Sequence, residues 1–150
     1  MSVRIQSEPF DAGAELNTHV TGRADIGASV TFVGQVRDIS GGDTLSAMTL
    51  EHYPAMAQAE LERIEADARA RFAVTDMQII HRFGTLRPGD PIVLVIATAP
   101  SRQPAFDAAN FVMDFLKTNA PFWKKEHTRS GDQWVDAKDR DDDAANRWRS

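Results

Sequence analysis

The run Ile92-Val93-Leu94-Val95-Ile96-Ala97-Thr98-Ala99 is the longest apolar stretch in the chain. It holds no charge and no turn residue. Eight residues are far too few to cross a bilayer. β-Branched residues dominate the run, so it is expected to form a buried strand. Arg87-Pro88-Gly89-Asp90 supplies a turn just before it. The rest of the chain has to build a core around this strand, and the apolar content of 42% is enough to do so.

The other segments are shorter and more amphipathic. Ala28 to Arg37 is rich in β-branched residues and predicts a strand. Leu45 to Tyr53 predicts a second, and the flexible Gly-Gly loop over 38–44 makes the pair a hairpin with a long tip. Pro54 opens a helix at a position where its missing N–H costs nothing. Ala57, Leu61, Ile64, Ala68 and Phe72 then recur at helical spacing on one face, with Glu65–Arg69 and Asp67–Arg71 as pairs on the wet side. Val74 to Phe83 predicts another strand. Pro104 begins a second helix, apolar on two sides: Phe106, Ala109, Met113 and Leu116 on one, Phe111, Val112 and Phe115 on the other. Phe122 to Thr128 and Gln133 to Ala137 flank a hairpin turn at Arg129-Ser130-Gly131-Asp132. Residues 1–27 are mixed, with turn signals and no clear element. The order β-β-α-β-β-α-β-β predicts one α+β domain over residues 1–137, with two helices on a mixed or antiparallel sheet. Residues 138–150 form a charged tail, expected to be mobile or ordered by a partner.

Charge narrows the function. The net charge of −5 argues against general nucleic-acid binding, which wants a basic face. A local cationic pocket in an acidic protein would instead suit a small anion. No cysteine is present, so no disulfide, thiolate metal site or cysteine nucleophile is available. His19, His52, His81 and His127 are scattered without the spacing of a metal site. With no long apolar run at the N-terminus, a cytoplasmic protein is the simple expectation.

Lysine usage is the sharpest signal. All four lysines lie in the last third, and Lys117, Lys124 and Lys125 fall within LKTNAPFWKK. Arginine carries all the fixed positive charge before that. A compact, mobile ammonium and a planar guanidinium are not interchangeable at a reactive site. Two ammonium groups beside the aromatic turn Ala120-Pro121-Phe122-Trp123 suit anion binding or acyl activation. The same spacing also suits a solvated helix end. Arg37, at the end of the first strand, and Arg102, at the start of the second helix, are further candidate anion ligands.

Four stretches carry a family resemblance: VTFVGQVRD (30–38), MTLEHYPAMA (48–57), IIHRFGTLRPGD (79–90) and MDFLKTNAPFWKKE (113–126). In this order they resemble the large, catalytic subunit of molybdopterin synthase, over about Phe10 to Trp148. The resemblance implies an α/β hammerhead-type core with an added β subdomain. It implies sulfur transfer from the C-terminal thiocarboxylate of a small ubiquitin-like subunit, ending in Gly-Gly, to cyclic pyranopterin monophosphate, which becomes the dithiolene of molybdopterin in molybdenum cofactor biosynthesis. No cofactor is implied on the large subunit itself, and a homodimer of large subunits within a heterotetramer is. By motif match, Lys117 and Lys124 are the catalytic lysines, and Arg37, Arg102 and Lys138 are substrate-binding. The family often has His-Arg where this chain has Ser101-Arg102; a serine can hydrogen-bond but not act as a base at neutral pH. Either that histidine is dispensable or a group such as His127 substitutes. His52, Tyr53, His81 and Arg82 are read as architectural or interface groups. The competing class is a non-catalytic module that uses the same positive charge only to hold an anionic partner.

Overall fold

The structure is a computed structural model that describes residues 2–40, 42–119, 122–135, 146 and 148. The apolar run becomes β7 (Pro91–Ala99), an inner strand of a four-stranded sheet. Its neighbours are β2 (Ala28–Gln35) and β5 (Asp76–Arg82), both antiparallel to it. β1 (Val3–Gln6) adds to the far side of β5 in parallel.

Alternation along β7 sends side chains to two faces. Val93, Val95 and Ala97 pack under α2 (Pro54–Arg71) and α3 (Arg102–Asn119), against Leu61, Ile64, Phe111 and Val112. Leu94 and Ile96 face the other way, with Ile80, Val33, Phe10 and Leu16. That second face is covered by α1 (Ala12–Val20), whose N-terminus is capped by the Asp11 side chain accepting from the Ala14 amide at 3.0 Å. The two helices expected from the sequence are therefore three. β1 and α1 both fall in residues 1–27, where no element was expected. The helix is short and carries Gly13, which weakens its apolar stripe.

Pro54 does open α2, with Tyr53 as the capping residue. The pairing on this helix follows the expectation in part: Arg69 Nε lies 3.6 Å from Glu65 Oε1. Glu65 is buried, not on the wet side, and its Oε1 accepts from Ser2 at 2.9 Å. Asp67 pairs with Arg63 at 2.9 Å in place of Arg71, because Arg71 turns to the indole of Trp148. Within the expected tail, Trp148 is not loose. Its Nε1 donates to Asp114 at 2.6 Å, its ring lies edge-on to Phe72 and Phe111, and Arg71 donates to its carbonyl at 2.7 Å. A large indole gains enough contact area to dock on the α2–α3 face.

The added β subdomain is a second sheet. β4 (Asp43–His52) is its spine, paired with β3 (Ile39–Ser40), β6 (Gly84–Leu86) and β8 (Phe122–Thr128). β9 (Gly131–Val135) closes the hairpin with β8. The hairpin expected between the first two predicted strands does not form: β2 pairs with β7 in the first sheet, and it is the short β3 that folds back on β4, with Ile39 opposite Thr44. Gly84, with φ of 93°, lets the chain leave β5 and turn at once into β6. No helix among the described residues is long and apolar enough to cross a membrane.

Candidate functional site at the seam of the two sheets

A cleft runs between the end of α3, the end of β2 and the inner face of the second sheet. Its first half, about 170 Å3, is walled by Phe32, Leu50, Val93, Met113, Leu116 and Phe122. Its second half, about 370 Å3, is lined by Arg37, Ile39 and Glu126 among others. Gln35, Met48, Ile92, Lys117 and Lys124 line both. The two lysines therefore stand where an apolar half meets a polar one.

Each lysine is placed by its element. Lys117 lies in the last turn of α3, where a cation meets the negative end of the helix dipole. It is exposed, while Leu116 beside it is buried in the main core. Lys124 sits on β8, opposite Leu50 of β4 and Val135 of β9. The period of two sends Phe122, Lys124 and Glu126 into the cleft and Trp123, Lys125 and His127 outward. Accordingly Lys125 lies over Trp134, 5.6 Å from the ring centre, and Trp123 meets Tyr53 edge-on. The two adjacent lysines thus have separate surroundings.

Of the remaining expected residues that are described, Arg37 and not Arg102 lines the cleft. Arg102 begins α3, fifteen residues before Lys117. At 1.5 Å per residue that is about 22 Å along a straight helix. A single chain does not bring Arg102 to these lysines. Lys138 lies outside the described residues. Nor does His127 stand in for the missing histidine. It faces away from the cleft, donating from Nδ1 to Asp132 at 2.9 Å, with Nε2 2.8 Å from the Thr49 hydroxyl. Its odd register on β8 puts it there.

Arg82 is architectural, as expected. It is buried and donates to the carbonyls of Ser7 and Pro91, tying the N-terminal segment to β7. His81 is different. It lies on an inner strand and is buried, and its ring forms part of the apolar half's wall. It stacks on Phe122 at 3.9 Å, and His52 stacks on the same Phe122 at 5.6 Å. Burial, above all, pushes the His81 ring down to about 4, and the nearby Lys117 and His52 charges push the same way. His52 is also lowered by burial. Glu126, buried on the polar side beside Lys124, is a second cleft residue for which the sequence suggested no role. The signal for it was its place two residues after Lys124 on one strand.

The cleft at the seam of the two sheets is thus cationic where the lysines stand and partly apolar. Residues 5–119 match the family model described as MoaE protein. The chain belongs to that family. It is 55% identical over 150 residues to the molybdopterin synthase catalytic subunit of Rhizobium meliloti, covering 99% of this chain and 96% of that one. A solved structure of the molybdopterin biosynthesis MoaE protein from Burkholderia ambifaria is 47% identical, with a TM-score of 0.84, over 99% of this chain and 98% of that one. The protein–protein complex of subunits 1 and 2 of molybdopterin-converting factor from Helicobacter pylori contains a chain of the same fold, with a TM-score of 0.74 at 21% identity, covering 93% and 92%.

Proposed function

We propose that this protein is the catalytic subunit of a molybdopterin synthase and works as a sulfurtransferase. A small ubiquitin-like partner brings sulfur on a C-terminal Gly-Gly thiocarboxylate, and cyclic pyranopterin monophosphate receives it. Two such deliveries make the dithiolene, and each spent tail ends as a carboxylate. The observation that carries this reading is the placement of Lys117 and Lys124 at the junction of the apolar and polar halves.

The chemistry follows from the residues. A chain without cysteine cannot carry the sulfur on its own side chain. The phosphate of the pterin belongs in the polar half, where Arg37 offers a fixed fork of donors. The thiocarboxylate tail, slim and without side chains at Gly-Gly, belongs in the narrower apolar half. Its sulfur bonds to a pterin carbon and displaces an oxygen substituent. Water then attacks the acyl carbon between two ammonium groups, which stabilise the oxyanion. The acyl–sulfur bond breaks to leave sulfur on the pterin and a carboxylate on the tail. Arg102 contributes through a second copy of the chain in a homodimer, since within one chain the length of α3 separates it from Lys117. Lys138 is a further substrate-binding cation. The whole assembly is a heterotetramer acting in the cytoplasm.

The test is reconstitution. Mixed with a thiocarboxylated small partner and the pterin precursor, the chain yields dithiolene product. Binding of both without product favours the non-catalytic module instead.

A further inference from the structure

His81 has a role in the cleft that its packing does not explain. Its Nδ1 lies 2.8 Å from the carbonyl oxygen of Arg82. A carbonyl only accepts, so Nδ1 carries the proton. The ring is neutral, held so by burial and by the adjacent Lys117 charge. One proton on Nδ1 leaves Nε2 as a bare lone pair. The ring cannot swing away, because Phe122 stacks on it at 3.9 Å and 15°. Among the described residues no hydrogen bond reaches Nε2, yet it is not a sealed atom: the ring lines the cleft. A fixed acceptor in an apolar wall asks for an N–H or O–H donor from whatever enters.

We infer that His81 is a recognition residue for the partner's tail, its Nε2 accepting a hydrogen bond from a backbone amide of the incoming Gly-Gly segment. This rests on the function proposed above and deepens it. Two sources of an N–H donor exist, the tail amide and the pterin ring. The tail is favoured because the half of the cleft that holds His81 is the smaller and more apolar, whereas a phosphate-bearing ring is drawn to Arg37 on the other side of the lysines. An amide held at His81 sets the depth of insertion, so that the chain end stops at Lys117 and Lys124.

The test uses the whole chain and the small partner in its carboxylate form, so that binding is read without turnover. His81→Asn keeps a donor for the Arg82 carbonyl but has no atom at the Nε2 position; His81→Gln places an acceptor there. The expected result is a loss of roughly fivefold in affinity for Asn and near-parental binding for Gln. A merely structural histidine gives the opposite order. Semisynthetic partners with each glycine amide N-methylated in turn complete the cycle. One of them binds the parental chain as weakly as the unmodified partner binds His81→Asn, and the double combination loses nothing further. Additive losses overturn the inference. So does a shift of the His81 Nε2 nitrogen resonance on adding the pterin precursor but not the partner. Binding indifferent to His81 removes this inference alone, whereas a parental chain that does not bind the partner removes the proposed function with it.

Discussion

Seven consecutive residues of β7, Val93 to Ala99, are buried, whereas four of the five residues of β9 are exposed. The first sheet is sandwiched between α2 and α3 on one face and α1 on the other, and holds together by apolar burial. The second relies more on polar links across strands. Thr85, Thr49, His127 and Asp132 form one hydrogen-bonded row from β6 through β4 and β8 to β9, with spacings of 3.0, 2.8 and 2.9 Å. The cleft takes Lys117 from the helix layer of the first and Lys124 from the second. A rigid core thus carries one lysine, and a more solvated sheet, pinned by polar contacts, carries the other.

That contrast can be broken by measurement, beginning with the largest effect on stability. Leu94→Ala removes a fully buried side chain from the packed strand and is expected to cost about 2–5 kcal/mol, read by urea unfolding. A loss below 1 kcal/mol would mean that the first sheet is not the packed scaffold described.

Acid comes next. The His81 ring stays neutral down to about 4 in the folded protein, against 6.5 for the ordinary group. Below about 6.5 the unfolded chain takes up a proton that the folded chain refuses. Stability therefore falls as pH drops from 6.5 towards 4, by up to roughly 3 kcal/mol, and His52 acts in the same direction. His81→Gln should flatten this fall. An equally steep fall in the variant would place the acid sensitivity elsewhere.

On the second sheet, Thr49→Val breaks the polar row at its centre. The expected cost is about 1 kcal/mol, less than for Leu94→Ala, with faster amide exchange in β8 and β9 than in β7. Uniform exchange across both sheets would erase the comparison. The smallest effect on stability belongs to Lys117→Arg, within about 0.5 kcal/mol, because Lys117 is exposed on a helix end.

Much of this was legible in the sequence, for physical reasons that differ by element. The apolar run specified β7, and the spacing of Ala57, Leu61, Ile64 and Ala68 specified the buried face of α2. The same run held an unused clue. A strand apolar on both faces needs cover on both, and two helices on one side leave the other bare; α1 is that cover. β6, at three residues, is too short for any pattern to show. The two lysines were legible because residue type alone set them apart. His81 and Glu126 were not, since alternation gives a strand residue a face but not what lies opposite it. Arg102 was expected as an anion ligand at the start of the second helix, and α3 places it at the end opposite Lys117.

The central claim is that the ammonium groups of Lys117 and Lys124 act on the sulfur-bearing acyl carbon. Single-turnover reconstitution with the thiocarboxylated partner and the pterin precursor, comparing the parental chain with Lys117→Arg and Lys124→Arg, tests it most directly. The account predicts dithiolene product from the parental chain and loss of most of it, at least roughly a hundredfold in rate, in each variant, with folding and partner binding intact. Product formed at near-parental rates by both arginine variants would contradict it.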